Sequence, residues 1–187
     1  MNLEELAGRV IVAAEQTGVE FMVVGALAAG AYGVPRSTRD VDFLVGLHTG
    51  GGIQAVIRLL EPEVEFDPQI VFDTLTWGRR HVGRTRSDPP LKVELFELFD
   101  DPFVQSEFER RRQVFIPVLS RTTWLPTPED VVVQKLRWGR SKDLDDARDV
   151  LAVQDPATLD LAYIEHWCAR HGTIQRLHAA LAAIPPI

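Results

Sequence analysis

Asp40 and Asp42 stand one residue apart in Asp40-Val41-Asp42-Phe43-Leu44-Val45, a run that otherwise reads as a buried strand. On a strand, residues i and i+2 point to one face. The two carboxylates therefore project together, with Val41 and Phe43 on the opposite side. Adjacent carboxylates repel unless a cation lies between them, and an all-oxygen donor set suits Mg²⁺ or Mn²⁺. A third acid, Glu94, lies in the strand-like Lys92-Val93-Glu94-Leu95-Phe96, between two core-type residues. An acid there is costly unless it serves a site or faces water. Three converging carboxylates could hold two divalent ions, one gripping a triphosphate and the other acidifying an attacking hydroxyl. Gly25 adds bare backbone between an apolar run and a helix start, where N–H groups can approach phosphate oxygens closely.

The periodicity predicts the elements that would position these groups. A first amphipathic helix spans 3–16 and ends at Gly18. A strand at 21–24 runs through Gly25 into a small-residue helix to Tyr32, stopped by Gly33 and Pro35. The loop 34–39 leads into the strand 41–45. Gly50-Gly51-Gly52 is a turn, and no Lys-Ser/Thr follows it as a phosphate loop would require. A helix covers 53–60, and Asp67-Pro68 opens a short one to about Thr76. Strands are expected at 79–85, 91–99 and 113–119, with a helix from Asp101-Pro102 to about Arg110. From Thr127-Pro128-Glu129-Asp130 onward the chain reads as helical, over 128–139, 143–154, 158–171 and 173–183. The fold class is α/β (α+β): a mixed sheet with flanking helices over 1–122, followed by a helical C-terminal region over 123–187.

Composition narrows the function classes. The chain has 187 residues, 45% hydrophobic and 25% charged, as expected of a globular domain with a full core. A net charge of −7 argues against general nucleic-acid binding, which favours basic surfaces. A single cysteine, Cys168, rules out an internal disulfide and fits a reducing cytosol. The acidic start Met1-Asn2-Leu3-Glu4-Glu5 lacks the pattern of a signal peptide, and no apolar stretch is long enough to span a bilayer. A cytoplasmic location without membrane association is the expectation. His48, His81, His166, His171 and His178 form no metal-ligand spacing. Cys168 and the four tryptophans read as packing or interface residues rather than as reactive or base-stacking ones.

The combined pattern resembles the nucleotidyltransferase superfamily related to DNA polymerase β. Its signature is Gly-[Gly/Ser], a spacer of about a dozen residues, Asp-apolar-[Asp/Glu]-apolar, and a later strand acid. Here Gly25-Ala26 precedes Asp40-Val41-Asp42-Phe43. Within the superfamily the chain resembles the bacterial AbiEii-type, abortive-infection toxin-like proteins. The segment Gly33-Val34-Pro35-Arg36-Ser37-Thr38-Arg39-Asp40-Val41-Asp42 is similar to their Gly-x-x-Arg-x-Thr-x-Asp-[Ile/Val]-Asp. Lys92 to Phe96, Asp101 to Arg112, Pro128 to Leu136 and Lys142 to Asp146 resemble their later segments, so the likeness covers about 20–152. Ala26 replaces the usual Ser or Gly, and Glu94 the usual Asp.

The resemblance implies a metal-dependent enzyme that moves a nucleoside monophosphate from an NTP to a hydroxyl on a tRNA end, a protein or a small molecule. It also implies a toxin–antitoxin or phage-defence setting with a cognate partner. Asp40, Asp42 and Glu94 would be the catalytic and metal-binding acids. Gly25 and Ala26 would face phosphate, with Arg36, Thr38, Arg39, Lys135 and Asp146 around the nucleotide. By residue type alone, the arginines read equally as solvated loop cations. Lys135 reads equally as an exposed helix lysine, and Asp146 as a surface charge paired i,i+4 with Lys142. The departures at Ala26 and Glu94 favour a second reading, a nucleotide- or partner-binding module of the same fold without catalysis.

Overall fold

The computed structural model describes residues 1–47, 51–73, 75–76 and 78–184. Thus His48, Gly50 and Trp77 lie outside the described residues. Helix α1 (Leu3–Thr17) opens with a reciprocal cap: Glu5 N donates to Asn2 Oδ1 at 2.8 Å and Asn2 N to Glu5 Oε2 at 2.9 Å. Gly18 closes it in the left-handed conformation at φ 65°. Strand β1 (Phe21–Val24) runs directly into α2 (Gly25–Tyr32), and β2 (Asp40–Val45) follows the loop. Next come α3 (Gly52–Leu60), β3 (Val64–Phe66), β4 (Val71–Phe72), β5 (Arg79–Thr85) and β6 (Lys92–Glu97). The remainder is α4 (Pro102–Glu109), β7 (Arg112–Ile116), a 3₁₀ turn (Pro117–Leu119), β8 (Arg121–Leu125), α5 (Pro128–Trp138), α6 (Ser141–Val153), α7 (Leu161–His171) and α8 (Ile174–Ala182).

The main sheet runs β1-β2-β6-β5-β3, with β4 also on β5. It is mixed: β2 and β6 are parallel and every other pairing is antiparallel. The parallel register places Asp40 beside Lys92 and Asp42 beside Glu94. One face of the central strands is fully apolar, with Val41, Phe43, Val93 and Leu95 at 0% exposure. The other face carries the acids. Helices α1 and α3 contribute the buried stripes Leu6, Val10, Ile11 and Ile53, Val56, Ile57, Leu60. A continuous buried set runs from these helices through the sheet to Val132, Leu136, Ile164 and Leu177.

Three local expectations are corrected. The segment after Asp67 is no helix among its described residues; Val71 and Phe72 pair with Arg80 and Arg79 instead. Asp67 and Asp73 hold turns there, accepting from Gln69 N and Thr76 N at 2.8 Å each. Pro and Asp serve helix starts and turns alike, and too few apolar residues follow to fix a helical period. The strand after Arg111 ends at Ile116, because Pro117 cannot donate to a ladder and starts a tight turn. That turn returns the chain as β8, whose Thr-Thr-Trp content fits a strand. Residue 122 accordingly lies inside β8, within a hairpin pairing Arg112–Ile116 with Arg121–Leu125.

The helical C-terminal region is tied to the sheet half at specific points. Tyr32 donates its hydroxyl to Pro126 O at 2.9 Å, and Gln154 Nε2 donates to Tyr32 O at 2.7 Å. Gly33 permits the closest approach: a Cβ there would lie 2.9 Å from Val150 N and 3.0 Å from Asp149 C. Both are backbone atoms of α6 and cannot swing aside. Gly33→Ala is expected to wedge α2 from α6 and destabilise the protein by roughly 1–3 kcal/mol. A lowered urea midpoint with unchanged slope would show this, and an unchanged midpoint would refute the close-approach argument.

Candidate active site

The three sequence-predicted acids share one sheet face, because β2 and β6 run parallel in register. Asp42 sits in the middle. Its Oδ1 is buried without a hydrogen-bond partner among the described residues. Burial, then the charges of Glu94 and Asp40, push its carboxyl up to about 7, against the opposing pull of Lys92 and Lys135. Gly25 packs against the same carboxylate. It adopts φ 65°, and a Cβ at this position would overlap Asp42 Oδ2. Glycine is therefore required twice, for its backbone conformation and for the space. No side chain caps the N-terminus of α2, so its first N–H groups remain open beside Asp42.

Glu94 is engaged by cations from its own sheet. Lys92 Nζ donates to Glu94 Oε2 at 2.9 Å and lies 3.3 Å from Asp40 Oδ2. Arg80 Nε lies 3.2 Å from Glu94 Oε1. Burial opposes the charge of Lys92, but its hydrogen bond to Glu94 and the nearby acids raise its pKa. Lys92 and Arg80 follow from strand alternation and register, yet neither stands out as a site residue in the sequence.

Behind the acids lies a cationic wall. Lys135 is only 6% exposed; its Nζ donates to Asp146 Oδ2 at 2.7 Å and to Asp143 Oδ1 at 3.3 Å. Arg36 forms a fork on Asp146, Nε to Oδ1 at 2.7 Å and an η nitrogen to Oδ2 at 3.0 Å. Arg140 donates to Asp143 at 2.5 Å. Three cations thus face two carboxylates in one network joining the loop before β2 to α5 and α6. Burial works against the Asp146 charge, yet the bonds from Arg36 and Lys135 hold its pKa below the usual carboxylate value. Asp146 is therefore not the i,i+4 partner of an exposed Lys142, and Lys135 is not a solvated helix lysine. Asp143, fully buried between Lys135 and Arg140, has no sequence signal beyond its neighbourhood to Asp146.

The remaining candidates divide. Thr38 Oγ1 accepts from Asp40 N at 3.2 Å and so shapes the entry to β2. Ala26 is half-exposed in the first turn of α2. Arg39 is exposed, and its carbonyl accepts from Lys92 N at 2.9 Å. Gly25, Asp42 and Lys135 line one cleft that continues past Phe96 to Trp138 and Glu107. Trp138 is thus part of a cleft wall, whereas Trp167 packs in the core as its residue type suggests.

The donors present suit a hard divalent cation in part. Asp42 offers a buried, unpartnered oxygen and Asp40 a second carboxylate on the same face, an oxygen set of the Mg²⁺ type. Glu94 is turned to Lys92 and Arg80, and among the described residues no three His, Cys, Asp or Glu side chains are grouped to hold one ion. The two aspartates fit such an ion; Glu94, as placed, does not complete the set.

Two outcomes follow from the charges. A carboxyl whose folded pKa is raised contributes stability that is complete below about pH 4 and is lost as pH rises through about 7. In metal-free buffer, Asp42→Asn is therefore expected to gain on the wild type by roughly 2–4 kcal/mol between pH 4 and pH 8; parallel denaturation curves across that range would contradict it. Asp146→Ala strands Arg36 and part of the Lys135 charge, and a loss of about 3 kcal/mol in chemical denaturation is expected.

No known family profile matches the sequence, and no match is found among curated proteins. Solved structures do match over almost the whole chain. ANT(2'')-Ia in complex with adenylyl-2''-tobramycin has a TM-score of 0.62 at 13% identity, covering 90% of this chain and 96% of that chain. An antigenic nucleotidyltransferase-like protein from Paracoccidioides brasiliensis has a TM-score of 0.51 at 18% identity, covering 99% and 94%. A structure from H. pylori assigned as a nucleotidyltransferase has a TM-score of 0.54 at 15% identity, covering 97% and 92%. At these identities the likeness establishes the fold, which is that of nucleotidyltransferases. Among the described residues, no helix is long and apolar enough to cross a membrane.

Proposed function

We propose that this chain is a metal-dependent nucleotidyltransferase that moves a nucleoside monophosphate from an NTP to a hydroxyl and releases pyrophosphate. The observation that carries the reading is Asp42: a half-buried carboxylate whose Oδ1 is buried without a hydrogen-bond partner among the described residues, pressed against Gly25 at the open N-terminus of α2. Asp40 and Asp42 would hold the divalent cation, which supplies charge neutralisation for the phosphates and acidifies the acceptor hydroxyl. Gly25 and the next backbone N–H groups bind phosphate oxygens. Lys135, on the opposite wall of the cleft, offsets the remaining phosphate charge. The acceptor oxygen attacks the α-phosphorus, the bond to pyrophosphate breaks, and the hydroxyl proton passes to the carboxylate face, where Glu94 stands opposite Asp42. Arg36, Thr38 and Asp146 position Lys135 and the start of β2 rather than touch the nucleotide.

The nucleotidyl product held by ANT(2'')-Ia supports a small-molecule hydroxyl as acceptor. The AbiEii-type resemblance over Gly33–Asp42 and Lys92–Phe96 supports a tRNA end or protein hydroxyl and a cytoplasmic toxin–antitoxin or defence setting with a cognate partner. The deciding assay incubates the protein with each labelled NTP, Mg²⁺, and total tRNA, lysate or hydroxylated small molecules. Label should appear in one acceptor class, and Asp42→Asn should reduce it by about 10³-fold or more, the scale of a lost electrostatic anchor. Transfer that survives Asp42→Asn would overturn the assignment.

A second reading is favoured by the engagement of Glu94 with Lys92 and Arg80. In it, the site binds a nucleotide without turning it over. Mg²⁺-dependent ATP or GTP binding without label transfer to any acceptor would select this reading.

A further inference from the structure

The cleft that holds Gly25, Asp42 and Lys135 is also lined by the apolar Phe96, Phe99, Val104, Val131 and Trp138, and by Glu107 from α4. The Phe96 and Trp138 rings lie 6.1 Å apart, tilted by 51°. Three polar side chains in this apolar stretch have no hydrogen-bond partner among the described residues. Gln134 Oε1 and Trp138 Nε1 are buried without hydrogen-bond partners among the described residues. Glu107 is 4% exposed and makes no hydrogen bond or ion pair among the described residues. The charged neighbours it could use are committed elsewhere: Arg137 donates to Asp101 at 2.7 Å, and Asp130 accepts from Tyr163 and Thr127.

Buried polar groups nearly always find partners, because leaving one unmade costs its full desolvation. Three in one cleft are hard to reconcile with packing alone. An apolar pocket with a few convergent polar groups is the usual form of a small-molecule site. None of the three residues enters the phosphate and metal chemistry proposed for the other end of the cleft.

We propose that the inner end of this cleft is a nucleobase subsite, in which Glu107, Gln134 and Trp138 read the hydrogen-bonding edge of a base lying against the Phe96 and Trp138 rings. The proposal rests on the reading that the triphosphate lies at Gly25 and Lys135. The available groups suit a planar heterocycle. Trp138 Nε1 donates, Gln134 Oε1 accepts, and the ring walls offer a stacking surface. Burial, with the charge of Asp130 adding to it, pushes the Glu107 carboxyl well above the usual carboxylate range. A neutral carboxyl presents a donor beside an acceptor, a pair found on base edges. An alkylammonium ligand would instead call for an ionised Glu107.

The test is calorimetric binding to the full chain with Mg²⁺, using ATP, GTP, CTP, UTP, the four corresponding nucleosides, inorganic tripolyphosphate and spermidine. The wild type should bind at least one NTP about tenfold or more tightly than tripolyphosphate, with unequal affinities among the four bases. Glu107→Ala should bring the favoured NTP to the tripolyphosphate level and leave tripolyphosphate itself within about twofold. Glu107→Gln keeps the shape and removes the acid, so it should reorder the four NTPs and serves as the variant of record if Glu107→Ala does not fold. Equal binding of the four NTPs and tripolyphosphate, insensitive to both variants, overturns the subsite while leaving the phosphate reading intact. Absence of tripolyphosphate binding, with nucleosides still bound in a Glu107-dependent way, overturns the phosphate reading and keeps the subsite. Spermidine binding lost in both variants without any base selectivity overturns the nucleobase assignment in favour of an amine.

Discussion

Like charge on one sheet face is the constraint around which this molecule is organised. The parallel pairing of β2 with β6 puts Asp42 directly beside Glu94, with Asp40 two residues away on the same side. Three carboxylates so placed cannot all be stable without compensation. The compensation comes from three directions. Lys92 bridges Asp40 and Glu94 from within the sheet, and Arg80 approaches Glu94 from the next strand. Lys135 reaches the cleft from α5. Of these three, Asp42 is the one left with a buried oxygen that has no hydrogen-bond partner among the described residues. The residual imbalance is thus concentrated on a single side chain at the mouth of an uncapped helix, which is where a charged ligand would be used.

The same logic explains why the helical C-terminal region sits where it does. Apolar packing would tolerate sliding of α5 and α6 over α2, because Val132, Leu136 and Val150 are non-directional contacts. The Arg36–Asp146–Lys135–Asp143–Arg140 network is directional, and each partner comes from a defined place in the chain. Buried ion pairs add little net stability over apolar replacements. What this one supplies is register: it holds the Lys135 ammonium in the cleft wall and anchors the loop that feeds Asp40 into β2. Gly33 at the α2–α6 approach and the fit of Gly25 against Asp42 have the same effect, setting distances that side-chain packing alone leaves loose.

Along the cleft, polar chemistry gives way to an aromatic chamber. One part presents charge and the open N-terminus of α2; the other presents rings and three polar side chains without hydrogen-bond partners among the described residues. The two parts come from different segments. Gly25 and Asp42 belong to the β1–α2–β2 unit, Phe96 to β6, Glu107 to α4, and Gln134 and Trp138 to α5.

Much of this was legible in the amino-acid order. Strand alternation put Asp40 and Asp42 on one face, and Lys92, Glu94 and Phe96 together on the next strand. Gly18, Asp101 and Thr127 mark helix ends that the structure keeps within a residue or two. These features depend on bonds within one turn or one strand, so neighbouring residues suffice to specify them. The short pairings β3 and β4, and the return strand β8, were not legible, because their stability comes from β5 and from β7 rather than from their own composition. The sequence could mark Asp146 and Lys135 as candidates but left both open as surface charges. Only tertiary structure decided that Asp146 binds both Lys135 and Arg36, the latter 110 residues away along the chain. It alone showed that Glu94 is held by Lys92 and Arg80, and that Glu107, Gln134 and Trp138 share a cleft. An ion pair or a shared cavity is set by distances between segments, and those exist only once the core has brought the segments together.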